Sequence, residues 1–209
     1  MILLDEVQAQ AFCAGLTDAD GVARLERLAA MVIEENGRQN LIARASVGTL
    51  WLRHFADSAQ LLRSVPRGTA PWLDLGTGAG FPGLVIAAMR PEIEVVLVES
   101  RKKRVDWLVR AAAELGLGRC RVEGRRLEHV DSFAAGAISA RAFAPLLKLF
   151  ALSARFSTRD TLWLLPKGRS AVQEVKSLPA EVAGMFHVEH SVTDPDAGIV
   201  IGTGQPAHV

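Results

Sequence analysis

One stretch of the 209-residue chain combines residue types that suit a nucleotide-like ligand: Asp74, Leu75 and the glycine-rich run Gly76-Thr77-Gly78-Ala79-Gly80-Phe81-Pro82-Gly83. Glycines directly after a strand let the backbone turn sharply and let a ligand approach the main chain closely. The helix predicted to follow would turn its N-terminal N–H groups and its positive dipole end toward that ligand. From Gly78 onward the run also fits GxGxxG, the dinucleotide fingerprint, which is a weak signal alone.

Two acidic residues near this run indicate which ligand it holds. Asp74, two residues before Gly76, would favour the ammonium group of the methionine part of S-adenosylmethionine and would repel a pyrophosphate. Glu99 ends the second predicted strand, roughly 20 residues beyond the loop, where a carboxylate can accept both ribose hydroxyls. Because Glu99 suits a nicotinamide dinucleotide equally well, the choice of S-adenosylmethionine depends on Asp74.

The elements that would position these residues fall into two parts. Residues 1–68 are predicted to form an N-terminal helical extension packed on the core, and residues 69–209 the cofactor-binding domain. In the extension, Leu25, Leu28, Ala29 and Val32 mark one face of a helix. A second long helix is predicted from Val47 to Val65.

After residue 70, short β-prone runs alternate with helical ones. Strands are predicted at 72–75, 95–98, 120–123, 137–139, 161–165, 185–192 and 198–201. This order predicts an α/β, Rossmann-like fold: a mostly parallel sheet with helices on both faces and an antiparallel final strand. Ligands of such sheets bind at the carboxyl ends of the strands.

Composition narrows the class of protein. Lys plus Arg number 24 against 23 for Asp plus Glu, so net charge does not indicate a nucleic-acid binder. The basic runs Arg101–Arg104 and Arg119–Arg126 suit either phosphate contacts or a solvated surface. No apolar run approaches the roughly 20 residues of a membrane span, and the two cysteines have no metal-site spacing. We therefore expect a cytoplasmic protein without a metal or a membrane partner.

The wording LDLGTGAGFPG at residues 73–83 resembles the first motif of class I methyltransferases and, more narrowly, that of the bacterial 16S rRNA guanine-N7 methyltransferases of the RsmG/GidB type. Further segments resemble the same family in the expected order across residues 40–168. They are Asn40-Leu41, Arg53-His54-Phe55-Ala56-Asp57-Ser58, Glu99-Ser100 with Lys103-Arg104, Arg126-Leu127-Glu128, Arg141-Ala142-Phe143 and Lys167-Gly168.

The resemblance implies a substrate and a set of contacts. The substrate would be N7 of one guanine in the 530 loop of 16S rRNA, within the small ribosomal subunit or an assembly intermediate. The cofactor contacts would be Gly76, Phe81, Leu127, Glu128 and Arg141; Gly78 and Gly80 belong to the same loop, and Asp74 and Glu99 follow from their charge.

Guanine N7 is a lone-pair nucleophile without a proton, so its methylation needs no general base, and positioning and desolvation can supply most of the rate. We therefore name no chemical catalyst. Three residues are candidates for positioning the substrate. Arg141 suits a methionine carboxylate or guanine O6, Lys167 suits an RNA phosphate, and His54 would border the cofactor pocket or be a buried histidine satisfied by Asp57.

Three other functions remain compatible with the residues. One is a methyltransferase that acts on a small molecule or a protein. Another is a nicotinamide-binding oxidoreductase that uses the run from Gly78 to Gly83. The third is a non-enzymatic RNA-binding module, against which the intact glycine loop argues.

Overall fold

The computed structural model describes residues 2–206. Its strands are β1 (Trp72–Leu75), β2 (Val95–Val98), β3 (Cys120–Glu123), β4 (Ala137–Ala140), β5 (Leu162–Gly168), β6 (Phe186–His190) and β7 (Gly198–Thr203). Its α-helices are α1 (Glu6–Ala14), α2 (Ala19–Asn36), α3 (Asp57–Ala59), α4 (Gly83–Met89), α5 (Lys102–Glu114), α6 (Leu146–Ser153), α7 (Ala171–Lys176) and α8 (Ala180–Ala183).

The strands form one sheet in the order β3-β2-β1-β4-β5-β7-β6. Strands β1 to β5 pair in parallel, and β7 runs antiparallel to both β5 and β6. The predicted α/β fold with a mostly parallel sheet and an antiparallel final strand is therefore confirmed. Because β1 lies between β2 and β4, its carboxyl end is a topological switch point, which is where open α/β sheets bind ligands.

The N-terminal segment differs from the prediction between residues 44 and 64. Instead of one α-helix, the chain forms a 3₁₀ turn (Arg44–Thr49), a π-helical turn (Trp51–Ala56), the short α3 and a second 3₁₀ turn (Gln60–Ser64). The Glu6 carboxylate accepts hydrogen bonds from the backbone N–H groups of Trp51 and Leu52 at 2.9 and 2.8 Å. A π turn holds more residues than an α turn, so the buried face moves from the predicted one to include Phe55.

The sheet is covered on both faces. One apolar cluster contains side chains of α1, α2, α4 and α5 with one face of the sheet, and a second contains side chains of α6, α7 and α8 with the other. The N-terminal helices thus share a core with α4 and the strands. Within residues 2–206, no helix has the length and apolarity needed to cross a membrane.

Candidate functional site

The loop between β1 and α4 has a backbone conformation that glycine adopts readily. Gly76, Gly78 and Gly80 have φ values of 62°, 59° and 106°. A Cβ atom on Gly76 would also lie 2.6 Å from Cδ2 of Phe143, so a side chain does not fit there. The nearest atom to a Cβ on Gly78 would be 3.8 Å away. The main chain at Gly78 is therefore less closely packed than at Gly76, with only ordinary van der Waals neighbours from 3.8 Å outward.

Asp74 lies beneath this loop. Its side chain is fully buried, Oδ2 accepts a hydrogen bond from the Gly83 N–H at 2.9 Å, and Oδ1 accepts one from Ser139 Oγ at 2.7 Å. Burial raises the pKa of Asp74 to about 6, against the opposing effect of nearby hydrogen-bond donors and of Arg141. Asp74 thus fixes the start of α4, and its predicted ion pair with a ligand ammonium stays a prediction.

Ser139 completes this buried network, and the sequence analysis above predicts no role for it. It lies opposite Asp74 in the parallel pairing of β1 and β4. Its hydroxyl accepts a hydrogen bond from Trp72 Nε1 at 2.9 Å while it donates to Asp74. A serine within the otherwise apolar strand β4 was the signal that could have identified it.

Glu99 follows β2 and is buried beside the loop. Its carboxylate accepts the backbone N–H groups of Ser100 and Arg101, and the Arg101 guanidinium reaches both oxygens, with Nη2 3.1 Å from Oε2. Burial opposes ionisation, yet the hydrogen bonds and charge of Arg101 hold the pKa of Glu99 below its usual value. The same guanidinium lies 3.9 Å from the Cβ position of Gly78, so Arg101 covers the carboxylate predicted to bind ribose.

Phe81 and His54 connect the glycine loop to the π-helical turn. Their rings stack with centroids 5.0 Å apart and an interplanar angle of 17°. Arg141 Nη2 lies 3.0 Å from His54 Nδ1, and because a guanidinium only donates, Nδ1 is the acceptor. Burial, aided by Arg141 and Arg53, lowers the pKa of His54 to about 3, so the neutral ring carries its proton on Nε2. That N–H is buried without a partner among residues 2–206.

Arg141 joins the end of β4 to the N-terminal helices. Its Nη1 lies 3.3 Å from Asp57 Oδ2 and 3.3 Å from the Arg53 carbonyl oxygen. Asp57 Oδ1 in turn accepts from Thr193 Oγ1, in the β6–β7 turn, at 3.0 Å. Arg141 and Asp57 together therefore link three segments far apart in sequence. The Arg141 guanidinium also lies 5.4 Å from the Phe81 ring centroid.

Lys167 has a different environment from the predicted one. Strand β5 continues to Gly168, so Lys167 lies within the strand, at an irregularity in its pairing with β7, and not past its end. Its side chain is 8% exposed; Nζ lies 3.0 Å from Glu174 Oε2 and also donates to the Ala144 carbonyl oxygen. These internal partners occupy the ammonium group that the sequence analysis assigned to an RNA phosphate.

Leu127 and Glu128 lie in a single 3₁₀ turn after β3, with Leu127 buried and Glu128 exposed. In the sheet, β2 and β1 separate β3 from β4. The carboxyl ends of β3, β2, β1 and β4 border one crevice. Leu127 and Arg141 therefore lie toward its opposite ends, with the glycine loop and Glu99 between them.

A cavity of about 640 Å³ opens beside Arg141, within the size range of ligand pockets. Its walls come from the π-helical turn, the segment after β4, the end of β5 and the β6–β7 turn. Its lining includes Arg53, His54, Arg141, Phe143, Pro145 and Asp194. Phe143, for which the sequence predicted no role, lines this cavity and packs on Gly76.

Comparison with known sequences identifies close relatives. A family model described as GidB, rRNA small subunit methyltransferase G, matches residues 22–196. The protein named ribosomal RNA small subunit methyltransferase G from Erythrobacter litoralis is 55% identical over 204 residues, covering 98% of this chain and 99% of that protein. The protein of the same name from Novosphingobium aromaticivorans is 54% identical over 207 residues, covering 97% of this chain and 90% of that protein.

Solved structures resemble the chain in fold. A SAM-dependent methyltransferase from Aquifex aeolicus superposes with a TM-score of 0.57 at 16% identity, covering 75% of this chain and 93% of that one. A mutant of MtNAS in complex with S-adenosylmethionine also superposes with a TM-score of 0.57, at 13% identity, covering 96% of this chain and 78% of that one. At these identities the likeness concerns the fold alone.

Proposed function

Since the chain belongs to the GidB family of rRNA small subunit methyltransferases, we propose that it transfers the methyl group of S-adenosylmethionine to N7 of a guanine in the 530 loop of 16S rRNA. The observation that carries this proposal is 55% identity over 98% of the chain to a protein named ribosomal RNA small subunit methyltransferase G. The chain is an S-adenosylmethionine-dependent rRNA methyltransferase, so the alternatives of an oxidoreductase and of a binding module without enzymatic activity are set aside.

The crevice fits this cofactor on two observations. A Cβ atom at Gly78 would have no neighbour closer than 3.8 Å, and His54 Nε2 is a buried polar atom without a partner among residues 2–206. Buried polar groups normally find partners, so an unpaired one beside a glycine loop suits a polar ligand. Glu99 would hold the ribose, the loop from Gly76 to Gly80 with Phe81 and Arg141 the methionine part, and Leu127 and Glu128 the adenine.

When bound, S-adenosylmethionine supplies an electrophilic methyl group. Because guanine N7 has no proton to remove, the protein needs to align the acceptor and exclude water, and no residue is required as a base. The low pKa of His54 suits this task, since a neutral imidazole adds no positive charge next to Arg141. Arg141 is held by His54 and Asp57, which fixes its guanidinium at the border between the glycine loop and the cavity.

The acceptor is proposed to be rRNA in the small subunit or in an assembly intermediate, and we accordingly place the enzyme in the cytoplasm. Much of the positive charge near the crevice is paired within the protein, as in the contact of Lys167 with Glu174. Free RNA would therefore gain little from electrostatic attraction, and a substrate shaped by ribosomal proteins suits this surface better.

The experiment is transfer of a radiolabelled methyl group from S-adenosylmethionine to small subunits from cells that lack this protein, followed by digestion to nucleosides. Label in 7-methylguanosine at one site of the 530 loop is expected. Naked 16S rRNA serves as the second substrate, and equal rates on both would contradict the preference for the assembled particle. Label in another nucleoside, or none despite measured cofactor binding, would contradict the proposed target.

A further inference from the structure

Phe143 lies between the glycine loop and the large cavity. Its ring packs so closely on Gly76 that a Cβ atom there would be 2.6 Å from Cδ2 and 3.3 Å from Cε2 of the ring. The same side chain lines the cavity, whereas Gly76 does not. The ring is only partly buried. It therefore separates the place of the cofactor from the space beside Arg141.

The residue before it has an unusual backbone. Ala142 has φ of 52°, and it is the one non-glycine residue of the described part of the chain with a positive φ. An L-residue avoids this region because its Cβ approaches the following carbonyl group, so surrounding structure must hold it there. Ala142 is itself exposed and lines the cavity. The strained position is thus found at the point where the chain turns Phe143 onto the loop.

The cavity has the polar groups that a nucleotide needs. Arg53 and Arg141 supply positive charge, and Asp194 supplies a carboxylate whose Oδ2 lies 3.5 Å from Arg53 Nη1. Arg53 and Asp194 lie on the wall formed by the N-terminal helices and the β6–β7 turn, whereas Arg141, Phe143 and Pro145 come from the segment after β4. An aromatic ring facing a polar wall is an arrangement that can hold a base by stacking on one side and by hydrogen bonds at its edge.

We propose that this cavity receives the acceptor guanine, flipped out of its RNA stack, and that Phe143 is the aromatic platform on which the base lies, held in place by the left-handed Ala142. This inference rests on the proposed function, in which the acceptor is a guanine. A base in a folded RNA must leave its neighbours before N7 can face the methyl group, and stacking on Phe143 replaces part of the stacking that is lost.

The test compares Phe143→Leu with Phe143→Tyr. Stacking of a base on an aromatic side chain is worth roughly a 5- to 150-fold effect, so Phe143→Leu is expected to lower kcat/KM on small subunits by about tenfold or more, while Phe143→Tyr stays within about twofold of wild type. Calorimetry should give unchanged affinity for S-adenosylhomocysteine in both variants. Phe133→Leu is the matched control, because Phe133 is also partly buried but packs on Phe156, outside the crevice.

A second variant leaves the ring untouched. Ala142→Val places a β-branched residue at a positive φ, which such residues strongly avoid, and should displace Phe143. We expect the same loss in kcat/KM as in Phe143→Leu, again with cofactor affinity retained. Thermal unfolding of each variant verifies that the protein is folded.

Three results are decisive against the inference. Wild-type kcat/KM in Phe143→Leu would show that no stacking is needed. A loss of cofactor affinity as large as the loss of activity would assign the ring to the cofactor pocket. A wild-type enzyme that methylates no guanine would overturn the proposed function and this inference together, whereas an active wild type equalled by Phe143→Leu overturns this inference alone.

Discussion

The two halves of the crevice are built in different ways. The cofactor half comprises the glycine loop, Asp74 and Glu99, all within about 26 consecutive residues. The acceptor half comprises His54, Asp57, Arg141, Phe143 and the β6–β7 turn, in which the hydrogen-bonded residues Asp57 and Thr193 lie 136 positions apart. Local backbone conformation shapes the first half, whereas side-chain contacts between distant segments shape the second. A change in the first half should therefore affect cofactor binding, and one in the second should affect how the segments are held together.

The largest effect on stability is expected from Asp74→Ala, which changes the buried carboxylate beneath the glycine loop. The change leaves the Gly83 N–H without its acceptor and the Ser139 hydroxyl without the carboxylate to which it donates, both in a fully buried site. Losing hydrogen bonds to a buried charged group costs about 3 kcal/mol or more. We expect urea denaturation at pH 8 to show a free energy of unfolding lower by roughly that amount, with weaker cofactor binding as a second effect. A variant as stable as wild type would contradict this supporting role.

The pH dependence of the same variant tests the burial of the charge. The pKa of Asp74 is raised to about 6 in the folded protein from 3.8, so the folded state binds more protons than the unfolded state between about pH 4 and 6. The contribution of Asp74 is therefore full below about pH 4 and falls as the pH rises through 6. The stability lost in Asp74→Ala should be greater at pH 5 than at pH 8 by roughly 1–2 kcal/mol. A loss that does not change with pH would contradict a buried, ionisable Asp74.

These two halves also differ in how far the sequence predicts them. The glycine pattern and the alternation of short strands with helices predicted a mostly parallel sheet, the loop and the places of the strands along the chain, because those features depend on residues close in sequence. The positions of Asp74 and Glu99 at strand ends were also predictable. Their partners were not, since the pairing of Asp74 with Ser139 depends on which strand lies beside β1.

The acceptor half was less accessible to sequence reasoning for a physical reason. The predicted helix from Val47 to Val65 assumed one period, whereas the π turn changes the period and turns Phe55 into the core. Lys167 looked free because its partner Glu174 lies in a helix beyond the end of the strand. Phe143 lies in a segment that resembles the family, yet nothing in the sequence indicated its packing on Gly76, because the left-handed conformation of Ala142 is imposed by packing and has no marker in the residue type.

In the acceptor half, Arg141→Ala should weaken the attachment of the N-terminal helices to the carboxyl end of β4. The alanine side chain is too short to reach Asp57 or His54, so both hydrogen bonds of the guanidinium are lost. Hydrogen bonds of a charged group are worth about 1.5–3 kcal/mol. We expect the free energy of unfolding to fall by roughly that amount. A double-mutant cycle with Asp57→Ala should show coupling between the two sites, measured by urea denaturation. Additive losses would mean that this contact does not join the segments.

A smaller effect is expected at Gly76→Ala in the cofactor half. An alanine at position 76 would have to adopt a φ of 62°, and its methyl group would lie too close to the Phe143 ring. The left-handed conformation costs an alanine about 1–2 kcal/mol, or roughly 5- to 30-fold in the affinity of a ligand that needs this loop geometry. Calorimetry with S-adenosylhomocysteine measures it, and Gly48→Ala is the control, since a Cβ at Gly48 meets no atom within 4 Å. Equal affinities in the two variants would contradict the role of the loop.

The smallest effect is expected on cofactor affinity when Arg101 is removed. This side chain covers Glu99, the carboxylate predicted to bind ribose. The guanidinium pairs with Glu99 but is 66% exposed, and ion pairs of exposed side chains are worth about 0.2–1 kcal/mol. A ribose that binds Glu99 must replace these donors with its hydroxyl groups, so removing Arg101 removes a competitor. Arg101→Ala should therefore bind S-adenosylhomocysteine up to about fivefold more tightly. Lys102→Ala, which breaks only the exposed pair with Asp106, should bind it as wild type does. If Arg101→Ala binds S-adenosylhomocysteine more weakly than wild type, Arg101 holds the cofactor and does not cover its site. The two halves of the crevice would then share one feature, because each would hold its ligand with an arginine: Arg101 beside β2 and Arg141 beside β4.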